Sequence, residues 1–217
     1  MFREVLYTQW RWSTLPVILF TVAAFGIPLW AVQRAGLAAP LEADVVRMLE
    51  QVRAVGVMFP LLAAFAGVTL GALAWSPDTR GGHVYALSLP VPRWYYALLR
   101  FAAGLVLLAP VVLAVWIGGV AATAAATIPD GLYTYAGTVT LRFALSVLVS
   151  YTAAFAIASA SRRTQAVIGG AVLAVIAVQV LAVMAGVNLN PIRWLMTVFS
   201  WPGPFHVFGG PWMLVDL

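Results

Sequence analysis

Residues Trp94–Ala122, WYYALLRFAAGLVLLAPVVLAVWIGGVAA, decide the fold class of this chain. Arg100 is the one charged residue among them. A helix of about 20 apolar residues crosses the roughly 30 Å hydrocarbon core of a bilayer. This run exceeds that length, so we expect a transmembrane helix that tilts or protrudes and that contains Pro110.

The rest of the chain has the same character. Of its 217 residues, 63% are hydrophobic and 9% are charged, and the mean hydropathy is +0.97. A soluble domain could not cover so much apolar surface. We therefore predict an all-α integral membrane protein, a helical bundle in which residues 1–217 form a single transmembrane domain. Five spans are expected, at about 14–32, 54–75, 94–122, 139–160 and 165–187.

The segments outside these spans have distinct patterns. Residues 1–13 alternate apolar and charged positions near helical spacing, which favours an amphipathic helix lying in the membrane interface. Residues 33–53 suit either a surface helix or an extension of the second span. The tail 188–217 is apolar but is interrupted by proline and glycine and contains three tryptophans. We predict an extracytoplasmic interfacial segment there.

The distribution of charge predicts the orientation of the spans. With the N-terminus in the cytoplasm, seven arginines and two acidic residues lie inside, against five arginines and five acidic residues outside. The positive-inside rule favours this arrangement. The net charge of +5 is then explained by asymmetry across the membrane, and we predict no nucleic-acid partner.

Residues that would carry chemistry are scarce. The chain has no cysteine and no lysine, so it lacks the Gly-Lys-Ser/Thr loop that holds nucleotide phosphates. Its two histidines, His83 and His206, fall on opposite predicted sides of the membrane, so no metal site is expected. We predict that the chain is not an enzyme and binds no cofactor.

Polar groups are also rare inside the spans. Ion-coupled carriers place carboxylates or histidines near the middle of the membrane, and their absence from this sequence argues against that class. Gln179 is the most polar residue deep in a span. It suits either a hydrogen bond between helices or a contact on a substrate path.

Small residues recur at four-residue spacing in three spans. Such stripes let helices approach closely, either as ordinary packing or as a specific seam between two subunits. Both interpretations remain open for the candidate residues Gly67, Gly71, Ser146, Ser150 and Gly170.

Residues 76–93, here called the coupling segment, are the one sizeable polar stretch on the predicted cytoplasmic side that is neither terminal nor a short turn. They contain the amphipathic sequence HVYALSL, between glycines and prolines. The segment is either a solvated loop without a partner or a docking site for a soluble protein.

The sequence GGHVYALSLPVPRWYYALLR resembles the loop after the second span of ABC-2-type transporter permeases. That family has an acidic residue and a glycine before a leucine-rich run ending in proline and arginine. The matching positions are Asp78, Gly82, Leu87, Leu89, Pro90, Arg93 and Arg100. Pro92 stands where the family usually has a small hydroxyl residue. Members usually have six spans, so either a further C-terminal portion follows the five predicted here or this subunit has no sixth span; we favour the former.

The resemblance implies a permease subunit of an ATP-binding-cassette exporter in the cell membrane, as in a bacterial inner membrane. ATP and Mg²⁺ would bind to separate ATPase subunits, and a second permease, identical or different, would complete a dimer among membrane lipids. The substrate would be hydrophobic or amphipathic, such as a lipid, a peptide or a drug. The implied ATPase contacts are Asp78, Arg80, Tyr85, Leu87 and Leu89. The alternative is a non-transporting scaffold or sensor subunit, which co-purification with an ATPase would distinguish.

Overall fold

A computed structural model describes residues 1–35, 45–76, 91–127, 132–187 and 203–216. Within these ranges the chain is mostly helical. The helices are α1 (Phe2–Arg34), α2 (Val45–Gly56), α3 (Met58–Leu73), α4 (Arg93–Ala124), α5 (Ala136–Ser159) and α6 (Arg162–Met184). A two-residue strand β1 (Tyr133–Thr134), a 3₁₀ helix (Pro204–Phe208) and a second short strand β2 (Val215–Asp216) complete the fold.

Five helical stretches among the described residues are long and apolar enough to cross a bilayer. They are α1, Glu50–Leu73, α4, α5 and α6, which correspond in order to the five spans that hydropathy predicts. The all-α class is therefore confirmed, and the fold is that expected of a multi-pass membrane protein.

The beginning of the chain differs from the prediction. Residues 1–13 do not form a separate interfacial helix, because α1 continues without a break from Phe2 to Arg34. Thr14 Oγ1 donates to the Trp10 carbonyl at 2.6 Å, so its hydroxyl is satisfied inside the helix. Gln9 and Ser13 are buried, which shows that these first turns pack against the bundle.

The stretch before the second span is helical from Val45. A turn at Val57 separates α2 from α3, so the two helices follow each other almost directly. Of the two interpretations of residues 33–53, an extension leading into the span is closer to the structure than an isolated surface helix.

Two helix pairs build the core: α1 packs mainly along α4, and α3 along α5. Gly118 allows the first approach, because a Cβ there would lie 2.6 Å from the Phe25 carbonyl oxygen. Buried side chains from all four helices, among them Val17, Phe59, Val111 and Phe143, join in one cluster.

At the end of the bundle opposite the N-terminus, the tail returns to the helices. β2 pairs antiparallel with β1, and Leu214 and Val215 pack with Val32 and Ala122. Trp212 is 3% exposed and stacks on Phe59 with ring centroids 6.4 Å apart. The described part of the tail therefore covers this end of the bundle.

The sixth helix has defined ends but few neighbours. Ser161 Oγ accepts a hydrogen bond from the Thr164 amide at 3.2 Å and caps its start. Gly186, at φ 64°, ends it: the Val187 amide donates to Ala182 O at 2.9 Å and the Gly186 amide to Val183 O at 3.2 Å. In its apolar window 6% of the residues are buried, against 28–50% in the other four.

Candidate functional site

The predicted ATPase contacts cannot be placed. Asp78, Arg80, Tyr85, Leu87 and Leu89 all lie outside the described residues. The structure does describe both ends of the coupling segment: Ser76 follows α3, and Val91 precedes α4. What these ends contact determines where a force on the segment would be transmitted.

Arg100, on the second turn of α4, is 4% exposed. Its Nε and Nη2 donate to the Tyr96 hydroxyl at 2.9 and 2.7 Å, and its Nη1 donates to the Ala74 carbonyl. The guanidinium carbon lies 5.6 Å from the Trp75 ring centre and 5.0 Å from that of Tyr96. Burying a charge is costly unless it is hydrogen-bonded, and these contacts tie the end of α3 to the start of α4.

The two ends of the coupling segment and α1 meet around this arginine. Val5, Tyr96 and Ala103 form a buried cluster, and the partly buried Trp75 and Val91 pack against it. We call Arg100 with this cluster the anchor. It joins the two ends of the coupling segment to the first turns of α1.

A second polar contact links three helices deeper in the bundle. The buried Gln9 side chain lies next to Tyr151, and the Tyr151 hydroxyl donates to the Phe101 carbonyl at 3.2 Å. Gly104 leaves the space for this ring, since a Cβ there would collide with Tyr151. The contact connects α1, α4 and α5, and its residues were not among the sequence-based candidates.

Four of the five small-residue candidates, Gly67, Gly71, Ser146 and Ser150, are buried. They lie on α3 and α5, which pack along each other. A Cβ on Gly67 would lie 2.5 Å from Ser150 Cβ, and one on Gly71 would lie 2.8 Å from Ala154 Cβ. Ser146 and Ser150 are buried, and Ser150 Oγ donates to the Ser146 carbonyl at 2.8 Å. We call the contact of Gly67, Gly71, Ser150 and Ala154 the α3–α5 seam. These contacts are made within one chain.

Gly170 and Gln179, both on α6, behave differently. A Cβ on Gly170 would meet no atom within 4 Å, so this glycine has no packing role among the described residues. Gln179 is partly buried, and its Oε1 has no hydrogen-bond partner in the described part of the chain. Both interpretations of Gln179 therefore stay open.

A groove of about 600 Å³ runs along the outside of α3 and α5. Small apolar side chains form its walls: Ala64, Val68 and Ala72 on one side, Ala153, Ala154 and Ala158 on the other. Trp75 and Gln165 line its end near the N-terminus of the bundle, and Phe205 and Phe208 line the other. We call it the lateral groove.

Among the described residues, no three His, Cys, Asp or Glu side chains group so that they could hold a metal ion. His206 is exposed, and His83 lies outside the described residues. The polar groups that do converge belong to the anchor and to the Gln9–Tyr151 contact.

Comparisons with protein-family models, with curated proteins and with solved structures found no match. The class is therefore argued from the residues alone. Sequence reasoning had matched Arg100 to a motif but missed its partners Tyr96 and Trp75. Their position, one turn before Arg100 and at the end of the preceding span, is the signal that could have found them.

Proposed function

We propose that this chain is the permease subunit of an ATP-binding-cassette exporter. It moves a hydrophobic or amphipathic substrate across the membrane, driven by separate ATPase subunits that bind ATP and Mg²⁺. A second permease, identical or different, completes the path, and the coupling segment faces the cytoplasm. Five helices able to span a bilayer and the motif in residues 78–100 support this assignment.

The observation that carries the proposal is the anchor. Trp75, directly before the coupling segment, and Val91, near its end, pack on one cluster. Arg100 ties the turn after α3 to α4. A displacement of the segment is then delivered to α3, α4 and the beginning of α1 together. A solvated loop without a partner would have no need of a buried arginine at its base.

From the anchor the displacement reaches the rest of the bundle. The Gln9–Tyr151 contact and the α3–α5 seam pass it to α5, because packed helices shift as units rather than deforming continuously. ATP binding to the ATPase then shifts the population between inward-open and outward-open arrangements. The largely unpacked α6 leaves a surface for the second permease or for lipid.

The proposal is tested by charge reversal in the coupling segment. Asp78→Arg, Arg80→Glu and Leu87→Asp should each abolish stimulation of the partner's ATPase and transport in proteoliposomes, because they break a docking surface. Membrane insertion and the elution volume of the purified chain should stay unchanged. Arg3→Glu, at the same end of the bundle, is the matched control and should keep coupling.

Wild-type coupling in all three variants would contradict the proposal. Affinity purification of the full chain distinguishes the alternative: an exporter permease brings down an ATPase, whereas a scaffold or sensor subunit brings down other partners and shows no nucleotide-dependent transport.

A further inference from the structure

The lateral groove has walls that suit a single flexible chain. Its sides are mainly alanine, and Val68 and Ile157 at its rim are 51% and 40% exposed. The groove is therefore open to the surroundings of the bundle. In a membrane those surroundings are lipid, so the question is which occupant the groove selects.

The length of the groove favours a lipid over a helix of a second copy. From Ala64 to Trp75 a helix rises about 16 Å, which is roughly half of the 30 Å hydrocarbon core. Phe205 and Phe208 line the far end. A neighbouring transmembrane helix would need a groove along the whole core, whereas one acyl chain occupies a single leaflet.

Arg162 and Arg163 lie in the first turn of α6, three and two residues before the groove residue Gln165. Gln165 lines one end of the groove and is held by hydrogen bonds from Nε2 to the Ala158 and Ala160 carbonyls, both at 3.1 Å. Arg162 precedes Gln165 by three residues and so shares its helix face. Arg162 and Arg163 are both exposed, and neither forms an ion pair with a described residue.

Trp75 also lines this end of the groove, and its ring packs against Phe155 with centroids 5.3 Å apart. The predicted cytoplasmic leaflet is where anionic lipids attract arginine side chains.

We propose that the lateral groove binds one acyl chain of an anionic phospholipid whose headgroup lies on Arg162 and Arg163. The site belongs to this chain alone and does not depend on an ATPase or on transport. It selects by headgroup charge at one end and by the apolar walls along α3 and α5.

The test uses the full-length chain in nanodiscs of equimolar phosphatidylglycerol and phosphatidylcholine. After gentle extraction, native mass spectrometry counts the lipids that each chain retains. We expect retained phosphatidylglycerol to exceed phosphatidylcholine by about fivefold for each arginine, which corresponds to about 1 kcal/mol. Arg162→Gln with Arg163→Gln should remove the preference, whereas Arg3→Gln with Arg11→Gln, the same charge change elsewhere at this end, should keep it.

A second pair of variants tests the walls. Val68→Phe fills the groove from α3 and should reduce the retained lipid, and Ile157→Phe does the same from α5. Val22→Phe, at an exposed valine of α1 outside the groove, should leave retention unchanged. Because Val68 and Ile157 are both exposed, these variants should fold.

Three results would overturn the proposal. Equal retention of both lipids by the wild type is the first. A preference that survives loss of Arg162 and Arg163 is the second. The third is a dimer of the chain without bound lipid that Val68→Phe separates, since the groove would then hold a second copy.

Discussion

The α3–α5 seam and helix α6 both carry small residues at four-residue spacing, yet they pack in opposite ways. At the seam, the backbones of Gly67 and Gly71 lie against Ser150 and Ala154. On α6, a Cβ at Gly170 would meet no atom of the described residues within 4 Å. The comparison teaches that this spacing permits close approach without choosing a partner. The choice is made by the complementary small face on the other helix, which α5 offers to α3.

The largest loss of stability is expected from a substitution in the α3–α5 seam. Gly67→Leu places a side chain against Ser150 and the backbone of Val147 and Tyr151, and backbone cannot move aside cheaply. Overpacking should cost about 1–3 kcal/mol or more. We heat the detergent-purified chain and measure the fraction that stays monodisperse. The temperature at which half is lost, the thermal midpoint, should fall clearly. An unchanged midpoint would mean that the seam is loose and that the contrast with α6 is false.

A smaller loss of stability is expected from Tyr151→Phe. This variant tests whether the buried Tyr151 hydroxyl helps to hold the helices beside the seam together. The variant removes the hydrogen bond to the Phe101 carbonyl but keeps the ring contacts with Phe101 and Phe155. It should cost about 1 kcal/mol in the same thermal assay. Tyr133→Phe, at a tyrosine that is 65% exposed, is the control. If both variants behave alike, the buried hydroxyl contributes nothing.

The smallest effect is expected from Gly170→Leu. Leucine favours helix over glycine by roughly 0.5–1 kcal/mol, and its Cβ would meet no atom of the described residues within 4 Å, so the thermal midpoint should stay or rise slightly. Light scattering checks association in the same sample. A loss of stability as large as that of Gly67→Leu would show that α6 is packed after all, and a dimer lost on substitution would make Gly170 part of a subunit seam.

Hydropathy predicted the five apolar helices because the bilayer imposes one length on each of them. It did not predict where α1 begins, since the pattern of residues 1–13 suits a helix on the membrane surface as well as one packed in a bundle. Burial of Gln9 and Ser13 decides that question, and burial depends on which helices are neighbours.

The anchor and the pairing of helices were beyond reach of the sequence for the same reason. Gly118 and Gly104 resemble any other glycines of α4 until Phe25 and Tyr151 are placed against them. The tryptophans of the tail led us to predict an interfacial segment, and they did not reveal that Trp212 is buried on Phe59. An aromatic ring fits either environment, and only the shape of the bundle distinguishes them.

Arg142 holds the tail through backbone carbonyls, and this determines which tail residues can be substituted. Its Nε and Nη1 donate to the carbonyls of Val207 and Pro211 at 3.0 and 2.7 Å, and its guanidinium carbon lies 4.5 Å from the Trp212 ring centre. Every residue type offers a carbonyl, so these two bonds impose no requirement on the side chains at 207 and 211. Substitutions at positions 207 and 211 should therefore be tolerated as long as Arg142 and Trp212 are kept, because the tail stays bound through its backbone.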